Sequence, residues 1–218
     1  MTCPICHLRK EKRFCPALHD RICPQCCGEQ REITLDCPSE CPYLQQAREH
    51  EKPHDFGAKL PDELFPAVEI TQPFLVHHEP LIAGLLHTLL QASHRDRALR
   101  DREVIAALTS LVHSYQTLLS SGLVYQEPSA NPVQAAIGDA LQRSLEEFRK
   151  VEQQHLGYTS LRDSDVLRVL VFMIRLAHLH TSGRPLSRGF LDYLAQRLPE
   201  PGPAGEPAAQ SGSRIILP

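Results

Sequence analysis

The chain has 218 residues, 22% of them charged, with a formal net charge of -3 and 8 cysteines. That length allows one ordinary domain plus a small module, and the near-neutral balance excludes a global basic field of the kind that gathers nucleic acid. No apolar run approaches the roughly 20 residues that span a bilayer, and no apolar stretch follows Met1 as a signal peptide requires, so the expectation is a cytoplasmic protein with no membrane contact.

The N-terminal segment 1–44 holds all 8 cysteines: Cys3, Cys6, Cys15, Cys23, Cys26, Cys27, Cys37 and Cys41. In a reducing compartment a cluster of this kind is a set of metal ligands rather than a disulfide framework. The segment is also short of core. Ile5, Leu8, Phe14, Leu18, Ile22, Ile33, Leu35 and Leu44 are nearly its whole stock of large apolar side chains. A segment of about 40 residues usually needs a staple, and metal-binding free energy serves as folding free energy.

Eight thiols suit two tetrahedral zinc sites. Cys3-Pro4-Ile5-Cys6 and Cys23-Pro24-Gln25-Cys26 are matching knuckles: proline fixes φ, and the two-residue gap turns both sulfurs toward one ion. They are assigned to site one. Cys15, Cys37 and Cys41 are assigned to site two, with Cys27 or His19 as the fourth ligand, since Cys15-x3-His19 mirrors Cys37-x3-Cys41. Cys41 stands before Pro42, which favours the first position of a helix over 42–52.

This interleaved order resembles the cross-brace zinc modules of the B-box, MYND and HIT types, over residues 3–41. The resemblance implies a module used for protein contacts. The gap from Cys15 to Cys23 and the lack of a late histidine pair depart from those families. The strings C-P-Q-C-C-G-E-Q-R and C-P-S-E-C-P-Y-L also look like a bacterial protein family, a resemblance that carries no function.

Residues 45–78 read as a helix end, a linker and an extended segment over 66–74, flanked by Pro66 and Pro73. Residues 79–198 read as a five-helix bundle. A first helix, 80–94, carries Leu81, Ile82, Leu85, Leu86, Leu89 and Leu90 on one face. A second, 102–121, is capped by Asp101 and stopped by Gly122. A third, 132–155, opens with Asn131 as cap and Pro132 in the first turn. A fourth, 165–181, is apolar nearly all round, which marks a buried, central helix; Arg168 and Arg175 must snorkel or pair. A fifth, 187–198, runs from Ser187 to Pro199. Residues 199–218 read as a flexible tail rich in Pro, Gly and Ala, although it ends in Ile215-Ile216-Leu217. The fold class is therefore mostly α: a Cys-rich zinc module followed by a helical bundle.

Three functions compete. The first is a non-enzymatic adaptor or regulator with a protein partner. The second is nucleic-acid binding through Arg9, Lys10, Lys12, Arg13 and Arg21. Against it, residues 1–60 hold nine Lys/Arg balanced by nine Asp/Glu. The third is a metal-dependent enzyme using histidines of the bundle. Glu152-x2-His155 has the spacing of a di-metal carboxylate motif, but that architecture needs a second copy and further glutamates. No Gly-rich phosphate loop and no nucleophile elbow is present, so no catalytic residue is assigned.

Overall fold

The computed structural model describes residues 1–51, 64–123 and 131–198. The linker expected after residue 52 and the C-terminal segment with Ile215, Ile216 and Leu217 lie outside the described residues.

After the first knuckle the chain forms a short antiparallel hairpin, β1 (Arg13–Cys15) and β2 (Asp20–Ile22), with Phe14 opposite Arg21. Alternation along each strand sends Cys15 and Ile22 inward while Phe14 and Arg21 stay exposed. Two helices follow, α1 (Pro24–Gln30) and α2 (Pro42–Glu51). Each begins on a proline, whose fixed φ suits the first turn. The buried core of this region is Cys3, Cys15, Ile22, Cys23, Cys26, Cys27 and Leu35. Cysteines outnumber aliphatic side chains in it, so the interior is largely sulfur.

The remaining helices are α3 (Gln72–His77), α4 (Glu79–Arg95), α5 (Asp101–Ser121), α6 (Pro132–Leu156), α7 (Asp163–His180) and α8 (Gly189–Arg197). The described residues thus contain eight helices and not the five of the expected bundle plus one in the module. The two additional ones, α1 and α3, are single short stretches whose first turns are set by Pro24 and Pro73. The extended run expected over 66–74 is corrected accordingly. It stops at Thr71, which has extended φ/ψ, and α3 begins. Packing closes a ring: α4 against α6, α6 against α5, α5 against α7, α7 against α8, and α8 against α4. No described helix is long and apolar enough to cross a membrane.

The α5–α7 contact is the most extensive, and α7 buries Val166, Val169, Leu170, Val171, Met173, Ile174, Leu176 and Ala177. Its two arginines do pair. Arg175 donates to the carbonyls of Leu64, Phe65 and Val68, and Arg168 donates to that of Glu69 at 2.8 Å. The carbonyls of a non-helical strap, which has no ladder of its own, are satisfied by side chains of the helix it crosses. Asp101 does not cap α5; it lies inside the first turn, with Arg100 as N-cap. Its carboxylate is fully buried and accepts from Ser187 Oγ (2.8 Å) and from the amides of Phe190 and Leu191 (both 3.2 Å). It therefore caps α8, and Ser187 stands two residues before that helix instead of opening it. Gly189 is required there, because a Cβ would meet the His180 carbonyl oxygen at 2.2 Å.

The cysteine-rich region is bonded to this helical domain. Glu32 is its main contact. The residue is 2% exposed and adopts φ 52. One carboxylate oxygen accepts from Arg48 Nη2 at 2.9 Å, the other from Ser182 Oγ at 2.8 Å, and its carbonyl accepts from the Leu186 amide at 2.8 Å. Arg184 donates to the carbonyls of Gly28 and Arg31, Arg48 reaches Asp192 at 2.7 Å, and Arg100 reaches Asp36 at 2.6 Å.

Candidate metal centre

Each knuckle is built by local turns. In the first, the Cys3 amide donates to the Arg9 carbonyl and the His7 amide to the Cys3 carbonyl, both at 2.8 Å. His7 takes φ 55, and a bridge between Thr2 and Lys10 closes the loop. In the second, Cys23 is the N-cap of α1, and its sulfur accepts from the Cys26 amide at 3.4 Å. The hairpin brings the second knuckle back against the first, since β2 runs directly into Cys23.

The result is a cluster in which the sulfurs of Cys3, Cys6, Cys23 and Cys26 all lie within 4.8 Å of one another. Cys6 and Cys23 sulfurs are 3.9 Å apart. Tetrahedral bonds of about 2.3 Å, the usual zinc–sulfur length, set sulfurs about 3.8 Å apart. The donor set therefore fits a thiophilic ion of that size. Cys3 and Cys23 are fully buried and Cys6 is half-buried, which leaves the centre shielded on most sides.

The electrostatics of the metal-free thiols point the same way. The backbone amides of Leu8 and Arg9 hold Cys6 down at about 6. Burial opposes ionisation of Cys3, yet the amides of Cys23, Cys6 and Ile5 outweigh it and keep its pKa below the usual thiol value. Burial, and then the neighbouring Cys23, Cys6 and Cys3 sulfurs, push Cys26 up to about 12. Four thiols at this spacing cannot all ionise against one another; a divalent cation removes that conflict. Arg9 supplies part of the counter-charge. Its hydrogen bond to the Cys23 sulfur, with the charges of Cys6 and Cys23, raises its pKa. The sequence showed Arg9 only as one of five basic residues; no spacing rule marks it as a partner of the thiols.

Among the described residues the other four cysteines are not gathered in this way. Cys15 ends β1, Cys27 lies on α1, and Cys41 precedes α2; all three are buried, and Cys37 is half-buried. Cys37 does sense its neighbours. Burial raises its pKa most, and the charges of Cys41 and Cys15 raise it further. His19 is exposed in the β1–β2 turn, with φ 52.

Several polar side chains of the helical domain are engaged in holding the fold together. Glu152 accepts from Ser160 Oγ at 2.6 Å and from the Ser160 and Leu161 amides, so it joins α6 to the start of α7. Arg184 donates to backbone carbonyls, and Arg188 to the carbonyls of Arg97 and Leu99 and to Ser93 Oγ. Among the described residues no histidine joins carboxylates in a ligand-like group. No protein-family model, no curated protein and no solved structure matches this chain.

Proposed function

We propose that this protein is a non-enzymatic cytoplasmic adaptor whose N-terminal module is held by zinc and offers a surface to a protein partner. The observation that carries the reading is the convergence of Cys3, Cys6, Cys23 and Cys26 within 4.8 Å. Four thiolates fill a tetrahedral ion and leave no open coordination position, which suits a structural ion rather than a catalytic one. Zinc and iron both accept such a set; zinc, with no redox chemistry, suits a module whose interior is mostly sulfur.

A second zinc belongs to the same proposal, held by Cys15, Cys37, Cys41 and Cys27. The mutual influence of the Cys15, Cys37 and Cys41 thiols supports it. Cys27 is preferred to His19 because it is buried with the other sulfurs while His19 faces solvent.

The partner half of the reading rests on apolar side chains that the module leaves in water. Leu8 is 82% exposed, Phe14 52%, and Leu18 and Ile33 are exposed too. A contiguous apolar patch is the usual mark of a contact surface, and these four side chains are the module's material for one. One observation favours the nucleic-acid reading instead. Phe14 pairs across the hairpin with Arg21, with Lys12 two residues before it, and an aromatic flanked by cations can stack on a base. Affinity capture with the full chain and with Phe14→Asp/Leu18→Asp, beside filter binding to single-stranded RNA and DNA at two salt concentrations, separates the two. The adaptor reading expects a partner lost in the double variant and no salt-sensitive nucleic-acid retention. Salt-sensitive retention abolished by the same variant overturns it.

A further inference from the structure

Between α3, α4, α7 and α8 lies an apolar cleft of about 100 Å³. Its walls include Leu75, Ile82, Leu86, Leu176 and Leu194, each buried within its own helix but turned to this space. Val76, 61% exposed, stands at the opening together with the charged side chains of Glu79 and Arg197. The guanidinium of Arg197 lies 5.9 Å over the ring of Tyr193, another lining residue. An opening of this kind, greasy inside and charged at the rim, fits a short aliphatic segment that carries one cation.

We propose that the cleft is the docking site of this chain's own residues 214–217, Arg214-Ile215-Ile216-Leu217, bound in cis. Three observations carry the assignment. Leu198 lines the cleft and is the last described residue of the helical domain, so the chain leaves α8 at the rim itself. The 16 residues between Leu198 and Ile215 span roughly 20 Å even as a random coil. They keep the segment near the cleft at an effective concentration on the order of millimolar. The segment is also chemically matched. Ile215, Ile216 and Leu217 are the only large apolar residues after Leu198, and Arg214 beside them finds its counter-charge in Glu79. Branched side chains lose little rotamer freedom on burial, so a weak intermolecular ligand becomes an adequate intramolecular one.

The occupied cleft joins α3, α4, α7 and α8 through one peptide. Release of the segment opens the same apolar surface, which is then available to a competing sequence of like chemistry, an aliphatic stretch led by a basic residue.

The test uses the full chain, a chain lacking residues 213–218, and a synthetic peptide of those six residues. Methyl NMR reads Val76, Ile82, Leu86 and Leu176. Deletion moves these signals, and the added peptide returns them toward their full-length positions. The shortened chain binds the peptide at least about tenfold more tightly than the full chain, in which the tethered copy competes. Val76→Glu, at an exposed position that leaves the core alone, abolishes peptide binding to the shortened chain. Glu79→Arg weakens it, and a peptide with Arg214→Glu restores it to that variant. A photo-crosslinker at position 216 of the full chain reacts within one molecule, on α3, α4, α7 or α8. Unmoved methyl signals on deletion, peptide binding unaffected by Val76→Glu, or crosslinks that join two molecules each overturn the proposal.

Discussion

Glu32 shows how much one side chain can carry. It holds a left-handed backbone conformation that costs a non-glycine residue about 1 kcal/mol, and it buries a carboxylate that must be fully paired. Arg48, Ser182 and the Leu186 amide meet both demands. Glu32→Ala leaves the half-buried Arg48 with Asp192 alone, and the expected loss is about 3 kcal/mol in chemical denaturation. A loss under about 0.5 kcal/mol, as for an ordinary surface change, contradicts the role given to it. Asp101 makes a pH-dependent contribution. Burial raises its pKa above the ordinary 3.8, against the hydrogen bonds from Ser187, Phe190 and Leu191. The folded state therefore holds that proton more tightly than the unfolded one. Its share of stability is full below pH 3.8 and declines as pH rises through the raised value. The stability advantage of the native chain over Asp101→Asn is expected to shrink as pH rises above 3.8; an advantage that grows with pH contradicts the assignment. Neither residue was legible in the sequence. The partners that tie them into the helical domain lie far along the chain, Ser182 150 positions from Glu32 and Ser187 86 from Asp101, and a lone acid before a helix reads as that helix's own cap. Cys3, Cys6, Cys23 and Cys26 were legible because the C-P-x-C spacing carries its geometry within four residues.

The helices α4 to α8 were readable for the same local reason. Apolar periodicity marks the body of each helix, Asn131 and Pro132 mark the start of α6, and Gly122 at φ 71 marks the end of α5. What the periodicity could not give was α1 and α3. Each has fewer than eight residues, too few for a stripe to repeat, and their helical form depends on the surfaces beneath them. The broad apolar surface of α7 did announce a heavily buried helix, and Arg168 and Arg175 on it found the carbonyls of the 64–69 strap. The test at this scale is Leu170→Ala. Leu170 is fully buried on α7, and truncation there leaves a cavity worth about 2–5 kcal/mol. Losses within about 0.5 kcal/mol would remove α7 from the centre of the account.

Across the whole molecule, the sulfur-filled module and the helical domain have different sources of stability but share a boundary. The helical domain buries aliphatic side chains from six helices; the module buries mainly cysteines. Chelation of metal should therefore unfold residues 1–44 while α4 to α7 keep their amide protection in hydrogen exchange. The Leu186 amide, bonded to the Glu32 carbonyl, should lose protection with the module, since the α7–α8 loop is tied to the segment that melts. Unchanged protection at Leu186 would mean that the boundary bonds are not coupled to the metal. Metal content itself bears on the account most directly. Elemental analysis of the full chain, refolded with zinc and freed of excess, should find bound zinc, and Cys23→Ser should hold at least one ion fewer per molecule. A native chain that retains no metal, or a Cys23→Ser chain that retains as much as the native one, contradicts the claim that Cys3, Cys6, Cys23 and Cys26 form a metal centre.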